Sequence, residues 1–219
     1  MAAGIGQKPR PAAIFLADKA CKNPRAVILF LVISCAGLIG DLASKHYVFQ
    51  AFLADPAMRA ESERQLALGA SPAMALHVFQ RPVMPGVMFT LSTNPGIVFG
   101  TEWIPRPLVN IATLLTVLLV CIFFATSARR AYAMHVALAF IIGGALGNLY
   151  DRLFAVVQLP DAAQPIRYQV RDFIDCSGLH YPWVFNVADV LLVFGVAIIM
   201  IGWVFAERKK RPAVKTKAS

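Results

Sequence analysis

Four stretches of about 18 or more predominantly apolar residues dominate this chain, and few folds can accommodate them. A run of that length is long enough, as a helix, to cross the hydrocarbon core of a bilayer. The runs span roughly 26–44, 108–128, 132–150 and 187–206. Inside a bilayer every backbone polar group must be satisfied within the structure, so four such runs imply four transmembrane helices. The expected fold class is an all-α integral membrane protein forming one membrane domain. A small outward-facing β-cradle is expected at the membrane surface.

Charge sets the expected orientation. The formal net charge is +9, which in a soluble protein would raise the question of nucleic acid. Here the basic residues collect beside apolar runs, at Lys8 to Arg25, at Arg129 and Arg130, and at Arg208 to Lys217. Lysine and arginine bias of this kind marks cytoplasmic flanks, with contact to anionic headgroups as a second role. The tails 1–25 and 207–219 and the short loop at Arg129 are therefore expected in the cytoplasm. The connections 45–107 and 151–186 are expected on the outer face, and no nucleic-acid partner is expected. The first run also fits a secretory signal, with Val32-Ile33-Ser34-Cys35 resembling a lipoprotein cleavage box, but three further spans follow it.

Within the first outer connection, 50–72 is Ala-rich and mixed in charge, and reads as a surface helix or a flexible loop. From Met84 the pattern changes. Val87-Met88-Phe89-Thr90-Leu91-Ser92 favours a strand and Asn94-Pro95-Gly96 a turn. Cys21, Cys35, Cys121 and Cys176 show neither CxxC nor zinc-ligand spacing, so no disulfide, metal or other cofactor is expected.

Polar residues at the outer ends of the spans carry the chemistry. Asp41, Asn148, Asp151, Arg152, Asp172, Asn186 and Asp189 all fall in one layer at the membrane–water boundary. Any one of them can be read as an interfacial anchor, but ionisable groups at such depth mark functional sites. Asn148 and Arg152 share a helix face, as do Asn186 and Asp189 if their helix starts early enough. Asn186 also suits a helix N-cap. Arg152 diverges from its neighbour Asp151 and is available to an acid from another element. Gly143, Gly144 and Gly147 read as close helix packing. Two acids held close cannot both ionise easily, and such a pair performs general acid–base chemistry on a water. Ser92, Cys176, Ser177 and His180 form no nucleophile–base pattern.

Five short blocks together resemble the lipoprotein signal peptidase (signal peptidase II) family. They are Asp41-x-x-Ser44-Lys45; Asn94-x-Gly96 with Phe99; Gly143-Gly144-Ala145-x-Gly147-Asn148-x-x-Asp151-Arg152; Val170-x-Asp172-Phe173; and Phe185-Asn186-x-Ala188-Asp189. The resemblance implies an aspartic endopeptidase of the bacterial inner membrane whose catalytic dyad falls on Asp172 and Asp189. Asn94, Gly96, Asn148, Arg152 and Asn186 would bind substrate. Asp41, Lys45, Asp151 and Ala188 would support the site. The implied substrate is a prolipoprotein with a diacylglyceryl-modified cysteine, cleaved just before that cysteine. Implied partners are membrane phospholipid and a globomycin-type inhibitor, with the enzyme a monomer.

The chain departs from the family pattern at three places. Ile97 and Val98 stand where small residues are usual, the segment 50–81 is long, and Arg171 precedes Asp172, where a cation would lower that acid's pKa unless it points away. Asp175 is a rival acid that reads as solvated loop, and Asp151 a rival that reads as orienting Arg152. Two other classes compete. A small transporter predicts polar residues through the bilayer depth. A scaffold for lipidated peptides predicts binding without cleavage.

Overall fold

The computed structural model describes residues 19–96, 104–160 and 162–210. The basic residues before Lys19 and after Lys210, and Ile97, Val98 and Phe99, lie outside the described residues.

Four helices are long and apolar enough to cross a membrane among the described residues. They are α1 (Pro24–Leu53), α4 (Arg106–Thr126), α5 (Tyr132–Phe154) and α6 (Val187–Lys210, with the apolar span Val187–Ala206). Helix α1 starts where Asn23 caps it, its side chain accepting from the Arg25 N–H, and Pro24 fills the first position, where no N–H is needed. It also runs on past Ser44 to Leu53. That extension carries Phe49 and Phe52 into a core outside the bundle, so tertiary packing lengthens the helix beyond its apolar run.

Helix α5 is the central post. Of its most apolar window 61% is buried, against 22%, 17% and 11% for α1, α4 and α6. Its glycines set the approach of its neighbours. A Cβ at Gly143 would lie 3.1 Å from the Ser34 carbonyl oxygen of α1, and one at Gly144 would overlap the Ala188 carbonyl oxygen of α6. In exchange, α1, α4 and α6 leave Leu31, Leu115, Leu118, Phe123, Val193, Phe194 and Trp203 exposed. So many exposed large apolar side chains identify lipid as the solvent of this surface.

At one end of the bundle sits a four-stranded antiparallel sheet in the order β1 (Gln80–Met84), β2 (Val87–Asn94), β5 (Val170–Asp175), β6 (Val184–Phe185). A two-stranded ribbon, β3 (Val156–Val157) with β4 (Ile166–Arg167), lies beyond α5. The segment after α1 folds as two helices, α2 (Pro56–Ala67) and α3 (Pro72–Leu76). Asp55 caps α2 and Ser71 caps α3, each followed by proline at the first helical position. This insertion therefore takes the surface-helix form. Leu76 and Phe79 join Phe49, Phe52, Leu91, Val157, Leu159, Ile166 and Phe173 in a second core that fixes the sheet to the end of α1. Sheet and bundle are thereby one body, and the strand bearing Asp172 is held against the helix ends.

Candidate active site

The sheet and the helix ends enclose a cavity of about 250 Å³ lined by Asn94, Asn148, Arg152, Asp172, Asp189 and apolar and aromatic side chains from 170–193. Asp172 and Asp189 are the carboxylates in that lining. Strand register brings Ser92 opposite Asp172 and Asn94 opposite Val170, which aligns the turn after β2 with the cavity.

Asp189 is placed by a reciprocal cap. Its backbone N–H donates to Asn186 Oδ1 at 3.2 Å, and its carboxylate accepts the Asn186 N–H at 3.2 Å. This is a capping box, with the cap residue and the third helical residue satisfying each other's orphan donors. The position puts a carboxylate at the positive end of the α6 dipole. Asn148 Nδ2 also donates to Asp189, at 2.9 Å. Asn186 thus both shares a face with Asp189 and caps the helix.

Asp172 is 3% exposed and accepts from Asn186 Nδ2 at 2.6 Å. Burial, and then the negative charge of Asp189, push its pKa up to about 8, outweighing the Asn186 hydrogen bond and the Lys45 charge. Arg171 does not act on it as a near neighbour would. Its side chain turns to Asp151, with Nη2 at 2.7 Å and Nε at 3.2 Å from Oδ1.

Behind the cavity, Lys45 is fully buried. Its Nζ lies 2.7 Å from Asp41, 3.3 Å from Asp151 and 3.1 Å from Asn148 Oδ1. Asp41 also accepts the Ala188 N–H at 2.8 Å, so α1 caps α6 directly. Asn186 Nδ2 joins Lys45 on Asn148 Oδ1, at 3.1 Å. Two donors on that oxygen leave one sensible orientation for the amide, with its N–H₂ toward Asp189. A Cβ at Gly147 would overlap the Asp41 carboxylate, so this network requires glycine there.

The structure separates the rival acids from the cavity. Asp151 is wholly buried and engaged by Lys45 and by three Arg171 donors, including the Arg171 N–H at 2.9 Å. It does not hydrogen-bond Arg152, because consecutive helical residues point about 100° apart. Asp175 lies on β5, accepting from Thr90 at 2.9 Å and from the Ser177 N–H at 2.8 Å. Burial raises its pKa, but the hydrogen bonds from Ser177 and Thr90 more than offset this and hold it below the usual value. It is a structural turn acid rather than solvated loop.

Arg152 reaches over the cavity, donating to the Asn148 carbonyl at 3.4 Å and the Gly96 carbonyl at 3.3 Å. Its Nε is buried without a partner among the described residues. Asn94 Oδ1 accepts the Gly96 N–H at 2.8 Å, forming a side-chain turn that presents this edge. Tyr181, Trp183, Phe185, Leu192 and Val193 complete the lining. Sequence reasoning passed over Tyr181 and Trp183. Their signal was the interfacial position of His180-Tyr181-Pro182-Trp183, since aromatics of this kind concentrate at membrane boundaries.

The family model described as Signal peptidase (SPase) II matches residues 32–205. A lipoprotein signal peptidase of Desulfitobacterium hafniense is 35% identical over 139 residues, covering 59% of this chain and 78% of that one. One from Caulobacter vibrioides is 33% identical over 148 residues, covering 65% and 76%. A solved chain described as a bacterial membrane enzyme shares the fold with a TM-score of 0.60 at 21% identity, covering 87% of this chain and 94% of that chain.

Proposed function

Because the chain belongs to the signal peptidase II family, proteases that remove signal peptides from prolipoproteins, we propose that it does so with an aspartate pair, Asp172 and Asp189. The observation that carries this reading is that these two acids line the cavity while Asp151 and Asp175 are consumed by other partners.

The two acids take different roles because their surroundings differ. Asp172, with its pKa raised to about 8, keeps a proton at neutral pH and donates it to the scissile carbonyl oxygen. Asp189 accepts N–H donors from Asn148 and Asn186 and is the charged partner. It removes a proton from a water that attacks the carbonyl carbon. As the C–N bond of the resulting tetrahedral diol breaks, Asp189 passes the proton it took to the departing amine and a diol hydroxyl returns one to Asp172, so the pair is restored and neither a metal nor a covalent intermediate is required. Arg152 Nε and the Asn94 edge serve the peptide backbone. Asn148 and Asn186 act mainly by holding the two carboxyls, and Asp41, Lys45, Asp151 and Ala188 hold those asparagines and the helix end.

The substrate is a prolipoprotein bearing a diacylglyceryl cysteine, cut before that cysteine. Its acyl chains stay in the bilayer, which holds the bond at the height of the cavity and raises its effective concentration. The cavity end faces the periplasm of the bacterial inner membrane, with the tails in the cytoplasm. The enzyme works as a monomer, and a globomycin-type cyclic peptide competes for the cavity. The test is cleavage of a lipidated prolipoprotein in proteoliposomes by wild type, Asp172→Asn and Asp189→Asn. Loss of cleavage in both variants, with inhibitor binding retained, is expected. Activity surviving in either variant removes that acid from the mechanism.

A further inference from the structure

The opposite end of the bundle carries a second built feature, a cavity of about 340 Å³ lined by Asn23, Pro24, Arg25, Arg129, Arg130 and Tyr132. Its walls are fixed by backbone pairing. Lys19 forms an antiparallel bridge with Ala128, the Ala20 N–H donates to the Ser127 carbonyl at 3.0 Å, and Lys19 Nζ donates to the Thr126 carbonyl at 3.0 Å. The segment before α1 is thereby stapled to the loop between α4 and α5. Asn23 is the central pin. It is 5% exposed, caps α1 with Oδ1, and donates from Nδ2 to the Arg129 carbonyl at 2.9 Å and the Tyr132 hydroxyl at 3.5 Å.

The pin holds the backbone of Arg25 and Arg129 together, so that three arginines line one concavity with no carboxylate in its lining among the described residues. Arg25, Arg129 and Arg130 form no ion pair with any carboxylate among the described residues. Like charges gathered this way repel, and an anion between them relieves the repulsion. Guanidinium forks match phosphate oxygens bidentately, and the Tyr132 hydroxyl adds a donor. The position narrows the source of that phosphate. The cavity lies where α1 and α5 begin and α4 ends, at the level of one headgroup layer, and the exposed side chains of Ile28, Phe123 and Met134 continue from it along the spans. Orientation bias needs only the number of positive charges near a span. It does not need a pinned concavity, so the shape calls for a separate explanation.

We propose that this cup binds the phosphate of an anionic phospholipid headgroup, in the leaflet opposite the carboxylate cavity. Arg25, Arg129 and Arg130 clasp the phosphate and Tyr132 donates to it. The acyl chains run down the apolar faces of α1, α4 and α5. The site does not rest on the proteolytic reading.

The test uses purified full-length protein in phosphatidylcholine nanodiscs containing a small fraction of phosphatidylglycerol. Bound lipid is read by native mass spectrometry and by a spin-labelled phosphatidylglycerol. Arg25→Gln/Arg129→Gln/Arg130→Gln should lower phosphatidylglycerol affinity by roughly tenfold to a hundredfold and leave phosphatidylcholine unaffected. A second variant replaces all three by lysine. It keeps the charge and the orientation signal but loses the fork, and should still weaken binding by about threefold or more. A melting temperature unchanged from wild type in both variants reports a folded chain. Equal phosphatidylglycerol retention by wild type and the glutamine variant overturns the site. Full affinity in the lysine variant reduces it to diffuse attraction and overturns the clasp. Displacement of the lipid by inorganic phosphate at matching concentration reassigns the cup to a soluble anion and overturns the lipid reading.

Discussion

Lys45→Met tests whether the buried network holds the site together. Methionine keeps the length and apolar stem and removes the charge. Lys45 Nζ contacts three oxygens, on Asp41 at 2.7 Å, Asn148 at 3.1 Å and Asp151 at 3.3 Å, with no water-accessible surface on either acid. Asp151 keeps its Arg171 donors, so most of the cost falls on Asp41, which retains the Ala188 N–H alone. Removing one partner of a buried ion pair costs about 3–5 kcal/mol, because the other charge is left uncompensated. Unfolding in mixed micelles should show a loss of that size, and a melting temperature lower by roughly 6–20 °C. Asp41→Asn keeps an oxygen for the Ala188 N–H and removes the stranded charge. The double variant should therefore be more stable than Lys45→Met alone, with a coupling of about 1–3 kcal/mol. Asn148 loses one of two donors fixing its amide, so kcat should fall by about tenfold to a hundredfold with KM little changed. Destabilisation below about 1 kcal/mol, or single-variant effects that add within about 0.5 kcal/mol, would refute the reasoning.

Three further outcomes follow from the same geometry. The raised Asp172 pKa makes a stabilising contribution that is full below the ordinary value of 3.8 and is lost as pH rises through about 8. Relative to Asp172→Asn, wild-type stability should fall by about 1.4 kcal/mol per pH unit between those values, read from paired unfolding curves, and cleavage should decline above about pH 8. Gly147→Ala drives a methyl into the Asp41 carboxylate and should cost about 1–3 kcal/mol with loss of cleavage, seen by melting and activity assays together. Asp55→Ala removes the α2 cap and the ion pair to Arg81 of β1, and should cost about 1–2 kcal/mol while leaving cleavage intact, since no residue of 55–76 lines the cavity.

The spans were legible because hydropathy over about 18 residues overrides local propensity. Their ends were not. Asn23-Pro24 is a readable start signal, but an apolar window ignores it, and the extension to Leu53 depends on a core that Phe49 and Phe52 share with residues as distant as Phe173. Asp55-Pro56 and Ser71-Pro72 likewise announced two helix starts inside a segment whose composition left helix and loop open. The polar layer was legible as a layer. The partners within it were not, since spacing along a helix fixes a face but not what stands opposite. Asp151 therefore read as the companion of Arg152, when its partners are Lys45 and Arg171 from two other elements.

Those partnerships explain how four carboxyls can share one buried layer. Asp41, Asp151, Asp172 and Asp189 face Lys45, Arg152 and Arg171, four potential negative charges against three positive. Fully ionised, the layer would carry a net charge in a region that solvates charge poorly. One proton makes it neutral. Lys45 and Arg171 are ion-paired with Asp41 and Asp151, so a proton on either acid would weaken a buried ion pair. Asp189 has the helix N-terminus and an asparagine amide to support its charge. Asp172 has burial, a neighbouring carboxylate and one amide, and is where the proton costs least to keep. The supporting residues thus do more than hold the fold. By pairing Asp41 and Asp151 with cations, they leave Asp172 and Asp189 as the two carboxyls that line the cavity, each in different surroundings.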